Sequence, residues 1–147
     1  MKVLRTDETG KFMGKDLRSW AADEGFVLEF SSPNAHQQNG VAERVIPMLR
    51  DGTMATLEGA QLSTEYWPFA LHAQVWARNR TIRRKNLHRT SFEQWFGFKP
   101  SVASARIFGC VALYYLPREK RLKHEPKAKW GVYVGHSNES KAWLLLP

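Results

Sequence analysis

"SSPNAHQQNGVAERV", residues 31–45, carries one acid, Glu43, next to one arginine, Arg44, where a polar loop gives way to an apolar run. What precedes the stretch decides what that acid is. "KVLRT" is a short strand candidate. "KFMGKDLRSWAADEG" follows with Phe12, Leu17, Trp20 and Ala21 at helical spacing and Gly25 as a stop, and "FVLEFSS" is a second strand. The order strand, helix, strand predicts an α/β fold, with Asp7 at the end of the first strand, where such folds place ligands. Glu43 then falls in the first turns of a helix from about 41 to 57, with 35 residues between the two acids. Two carboxylates so placed could share one divalent cation, since Mg²⁺ takes hard oxygen ligands. A chain with 14 acids offers many such pairs, and two solvated surface acids are the plainer reading.

Downstream the pattern becomes helical and then β. "STEYWPFALHAQVWARNRTI" is a helix entered through Ser63 or Thr64, whose Trp67, Phe69, Leu71, Val75 and Trp76 read as core packing rather than a base-stacking platform. "TSFEQWFG" is a shorter helix capped by Thr90 or Ser91 and ended by Gly97. Between them "RNRTIRRKNLHR" carries Arg78, Arg80, Arg83, Arg84, Lys85 and Arg89, a solvated linker or a track for a nucleic-acid backbone. After residue 106, "RIFGCVALYYL", "WGVYVGHS" and "KAWLLLP" are strand-like. The basic loop "PREKRLKHEPKAK" stands between the first two, and Cys110 reads as a buried small hydrophobe. The organisation expected is a mixed segment over 1–98 and a small β-rich module over 106–147.

Composition narrows the function. A net charge of +8 favours a polyanionic partner, because each cation placed near a phosphate releases counterions. A single cysteine excludes an internal disulfide, and no Cys/His cluster has zinc-ligand spacing. No signal-peptide layout and no run near the roughly 18 apolar residues of a membrane span is present. The expectation is a soluble nuclear or cytoplasmic protein, neither secreted nor bound to a membrane.

"LRTDETGKF", "SSPNAHQQNGVAER", "YWPFALHAQVWARNR", "TSFEQWFGFKPSVASARIFGCVALYYLP" and "GVYVGHSNESKAWLL", in this order over essentially the whole chain, resemble the integrase region of copia-type retrotransposon Pol polyproteins. The resemblance implies a partial RNase H-like core followed by a small Src-homology-3-like module. It implies that Asp7 and Glu43 are the second and third acids of an Asp-Asp-Glu site that ligates Mg²⁺ or Mn²⁺ and activates a DNA 3′-hydroxyl. Gln38, Asn39 and Gly40 would lie in the loop that approaches DNA, with Arg44 beside it. His36 reads as a solvated loop residue.

The departures bear on activity. The family's first aspartate and its zinc-binding module lie upstream, and these residues begin six positions before Asp7. A truncated copy is therefore expected to be inactive alone, with an intact integrase as a candidate partner that could supply the missing acid. "DETGKF" puts Thr9 and Lys11 where the family has a glycine and an acid. Pro47 removes the hydrogen bond to the Glu43 carbonyl, at about 3 kcal/mol in a helix interior, so the helix should kink there or be short. Gly52 adds roughly 1 kcal/mol against alanine. The rival readings are a non-catalytic, basic nucleic-acid-binding protein with spectator acids, and an inert, poorly folded remnant.

Overall fold

The computed structural model describes residues 2–6, 14–30, 40–83, 86–137 and 140–147. The chain divides into two compact units, 1–48 and 49–147.

In the first unit, β1 (Lys2–Thr6), α1 (Lys15–Asp23) and β2 (Phe26–Phe30) follow the predicted order, and the strands pair in parallel from Lys2↔Phe26 to Thr6↔Phe30. Parallel pairing requires a crossover, which α1 supplies. Gly25, at φ +71°, ends the helix in the left-handed conformation that suits glycine. Trp20 stacks on Phe26 at 5.4 Å, and Ala21 is buried. Directly opposite each other across the strands, Arg5 donates through Nε and Nη2 to one oxygen of Glu29, at 3.1 and 2.6 Å. Both side chains are about half exposed, so the pair fixes register more than it adds stability. Val3, Leu4 and Val27 remain exposed. Two strands and one nine-residue helix give little interior, and such a sheet alone is marginal.

Helix α2 (Gly40–Gly59) begins in the first unit and ends in the second. It is neither short nor ended at Pro47, contrary to one branch of the expectation. What sustains it lies beyond the proline, where Thr53 and Leu57 are buried; the hydroxyls of Thr53 and Thr56 are satisfied by donating to the carbonyls of Leu49 and Gly52. Gly52 has a packing reason as well. The Gln74 side chain lies over it, where a Cβ would stand 3.1 Å from Oε1, and Gln74 Nε2 donates to Thr56 Oγ1.

A 3₁₀ turn (Thr64–Tyr66) leads into α3 (Trp67–Arg80), with Pro68 in the first turn where its missing N–H costs nothing. Of the aromatic and aliphatic residues expected in the core here, Trp67 and Val75 are exposed, and the fully buried residue is the small Ala70. The basic stretch after α3 holds a feature that periodicity did not show: β3 (Ile82–Arg83) and β4 (Asn86–Thr90) pair antiparallel. Helix α4 (Ser91–Phe96) starts on a full capping box, Thr90 Oγ1 accepting from the Glu93 N–H while Glu93 accepts from the Thr90 N–H, and ends on left-handed Gly97. Phe92, Phe96 and Phe98 cluster around it.

The β-rich segment forms one antiparallel sheet, β5 (Val111–Tyr115), β6 (Ala128–His136) and β7 (Trp143–Leu146), with β6 in the middle. Tyr133 and Val134 of β6 are buried, and α3 packs on this strand. Cys110 is half-buried. Gly109, at φ +82°, donates to the Tyr133 carbonyl, which brings the strand approach against the end of α2. A Cβ there would collide with the Cβ of Ala60 and stand 3.0 Å from its Cα. Among the described residues, no helix is long and apolar enough to cross a membrane.

Gly109→Ala is expected to destabilise the second unit by about 2 kcal/mol or more in urea unfolding, through both the positive φ and the collision. Adding Ala60→Gly should recover only the collision part. Pro47→Ala should raise the unfolding midpoint, by up to about 3 kcal/mol, because the proline sits in a continuous helix.

Candidate functional site

Glu43 lies in the first turn of α2 and is exposed. Arg44, also exposed, donates from Nε to the Gly40 carbonyl at 2.8 Å, and Gly40 is the first residue of the helix. Asp7, Gln38, Asn39, Arg84 and Lys85 fall outside the described residues, as do His36 and the side chain of Arg83. Asp7 follows Thr6 in the chain, and Thr6 is the last residue of β1. Among the described residues no three His, Cys, Asp or Glu side chains gather as a metal-binding group.

The basic residues of the first stretch meet different fates. Arg80 is half-buried: its guanidinium lies 4.1 Å from the Trp76 ring centre and 4.7 Å from that of Phe92, and Nη1 donates to the Trp76 carbonyl at 3.2 Å. Burial pushes its pKa down from the usual arginine value. This cation therefore joins α3 to α4 and is not presented to a ligand. Arg78 stands in the last turn of α3, and Arg89 is exposed on β4.

The principal concavity of the second unit is a cleft of about 910 Å³ walled by α2, α3 and β6. None of the sequence-predicted site residues lines it. Its ordered wall is an aromatic and imidazole cluster. His136 stacks on Trp76 at 4.7 Å and 9°, Tyr133 Oη lies 3.0 Å from His136 Nδ1, and the Ser104 carbonyl lies 3.2 Å from His136 Nε2. A carbonyl only accepts, so Nε2 carries the proton and Nδ1 accepts from the tyrosine hydroxyl. Burial raises the Tyr133 pKa, which keeps that hydroxyl a donor. Trp143 Nε1 donates to the same carbonyl at 3.2 Å, and Arg106 lies over the Trp143 ring at 5.2 Å. The polar ring and hydroxyl groups of Tyr133, His136 and Trp143 are thus engaged with partners within the fold.

No family model matches the chain. Aligned over 145 residues, it is 25% identical to the retrovirus-related Pol polyprotein from transposon TNT 1-94 of Nicotiana tabacum. Two Arabidopsis thaliana proteins, the retrovirus-related Pol polyproteins from transposons RE2 and RE1, are 28% identical over 144 residues and 26% identical over 141. Its homologues are copia-type Pol polyproteins of plant transposons. The alignments take in 99%, 98% and 96% of this chain but only 11%, 10% and 10% of the polyproteins, so the chain spans about a tenth of their length. Similarity that runs from end to end at this identity covers both units rather than one shared motif.

Arg80→Ala should lower stability by roughly 1–2 kcal/mol in thermal or urea unfolding, and Arg80→Lys should recover little of it, since an ammonium cannot stack between two rings. Arg89→Ala, at an exposed position on β4, should by contrast change stability by no more than about 0.5 kcal/mol.

Proposed function

We propose that this chain is a retrotransposon integrase segment whose ancestral chemistry is metal-dependent transfer of a DNA strand, and that the 147 residues alone do not perform it. The observation that supports the reading best is the end-to-end similarity to Pol polyproteins, in a chain that keeps Asp7 after β1 and Glu43 in the first turn of α2 with 35 residues between them. The strand–helix–strand with parallel pairing suits part of an RNase H-like core, and the antiparallel three-stranded sheet suits a Src-homology-3-like module.

Asp7 and Glu43 are the residues that would hold Mg²⁺ or Mn²⁺. When bound, the ion supplies Lewis-acid activation of a hydroxyl and neutralises charge on a phosphate. Glu43 contributes an exposed carboxylate on a long helix. Gln38, Asn39, Gly40 and Arg44, just before and beside it in sequence, are the residues that would meet the DNA backbone. Two acids are too few to clamp both ions of an in-line displacement, so activity requires a further ligand that these residues do not supply. A second reading has its own support in the net charge of +8: a basic chain that binds nucleic acid without catalysis.

In a strand-transfer assay with a labelled oligonucleotide duplex and Mg²⁺ or Mn²⁺, the chain alone is expected to yield no product above buffer. Calorimetric titration with Mn²⁺ should show weak binding that Asp7→Asn and Glu43→Gln each remove. A product from the wild-type chain that Glu43→Gln abolishes would overturn the inactivity. DNA binding that depends on salt but is indifferent to Mg²⁺ and to Asp7→Asn, with no Mn²⁺ titration, would favour the second reading.

A further inference from the structure

One face of the three-stranded sheet is bare. Val111, Leu113 and Tyr115 alternate onto it from β5 and are 68%, 60% and 65% exposed. From β6, Trp130 stands directly opposite Leu113 and is 69% exposed. Tyr115 and Trp130 are diagonal neighbours on the same face, a relation that places such residues roughly 7–8 Å apart on an antiparallel pair. The other face carries Gly131 and Tyr133, both buried, so the sheet has one side in the core and one in solvent.

The loop that joins the same two strands is strongly basic. Residues 118–129 carry Arg118, Lys120, Arg121, Lys123, Lys127 and Lys129 against Glu119 and Glu125. Glu125 is bound to Lys129 at 2.7 Å, which lowers the acid's pKa and raises the amine's, while Arg118, Lys120, Lys123 and Lys127 are exposed without an ion pair among the described residues. The loop is also built. The Leu116 N–H closes its base on the Lys127 carbonyl at 2.8 Å, a 3₁₀ turn spans Arg118–Lys120, and a reciprocal pair of hydrogen bonds joins Leu122 to Glu125. The cations are thus held near the strand ends, with Arg118 three residues after Tyr115 and Lys127 three residues before Trp130.

We propose that this face binds single-stranded nucleic acid, with unpaired bases stacked on Trp130 and Tyr115 and the phosphates held by the loop lysines and Arg118. A flat aromatic pair beside a fixed row of cations matches a polyanion that also offers π-faces, and base–aromatic stacking is worth about 1–3 kcal/mol per base. A duplex offers the cations its phosphates but hides its base faces. The inference deepens the nucleic-acid side of the reading above and needs neither Asp7 nor Glu43.

The test is fluorescence anisotropy in EDTA with the full chain, a labelled twelve-residue oligothymidylate, a duplex of the same length and heparin as a polyanion without bases. Trp130→Ala should weaken oligothymidylate binding about tenfold while changing duplex and heparin binding less than twofold. Trp130→Phe should retain most of it, and Lys123→Ala with Lys127→Ala should weaken all three ligands and flatten the salt slope. Equal loss for oligothymidylate and heparin with Trp130→Ala, or no loss for either, would overturn stacking. So would a concentration-dependent dimer, or cosedimentation with phosphatidylserine vesicles, that Trp130→Ala abolishes, since the face would then belong to a second copy or a lipid surface. Because metal is absent throughout, failure here leaves the Asp7–Glu43 reading untouched.

Discussion

The second unit depends on the stack of His136 on Trp76. It joins the C-terminal half of α3 to the central strand of a sheet that begins only at Val111, and it does so with a ring whose two nitrogens are both engaged. Because Nε2 donates to the Ser104 carbonyl, the segment before β5 is drawn to the same point, and Trp143 secures it from β7 through the same acceptor. One carbonyl oxygen with two lone pairs thus ties the loop to two strands. Strand β6 is in turn held from both edges, which keeps Tyr133 and Val134 buried against α3. Without that anchor, a three-stranded sheet with one bare face would have little to fold upon.

The signals legible in the sequence were those whose cause is local. Thr90 and Glu93 stand at capping-box spacing, and both reciprocal bonds form. Gly25 and Gly97 follow the last periodic residues of their helices and adopt the left-handed backbone that ends them. The strand–helix–strand order came from alternation and helical spacing, which need no knowledge of the rest of the chain. The signals that misled are tertiary. Pro47 argued for a kink or an early stop because its cost is local; the early stop is absent, since Thr53 and Leu57, buried beyond the proline, hold the helix through contacts that periodicity does not price. Gly52 looked like a weak point and is where Gln74 crosses. The pairing of β3 with β4 was hidden because its strands are short, two and five residues, and their few strand-favouring residues, Ile82, Leu87 and Thr90, are diluted by arginine, asparagine and histidine.

The candidate site was legible as spacing but not as chemistry. Thirty-five residues between Asp7 and Glu43 is a relation in sequence, and the fold adds that one acid follows a strand end and the other begins a helix. Neither fact makes a metal centre, which requires ligands that converge within bonding distance. The similarity to Pol polyproteins supplies the reason to take the spacing seriously, and the tenth of their length that it covers is why the chemistry is assigned to an assembly rather than to these residues alone.

The excess positive charge has a more definite address than composition allowed. Two basic stretches, 78–89 and 118–129, looked equivalent as sequence. In the fold Arg80 of the first is enclosed between two rings and cross-links helices, so its charge is committed to the interior. In the second, four cations are exposed on an ordered loop whose one effective acid partner, Glu125, engages only Lys129. Counterion release depends on cations that reach phosphates, not on cations in the count. The electrostatic argument for a nucleic-acid partner therefore draws on the loop between β5 and β6 together with exposed Arg89, and not on Arg80. That loop joins the two strands of the exposed aromatic face, so cations without an ion pair among the described residues and solvent-exposed rings lie close together in the chain.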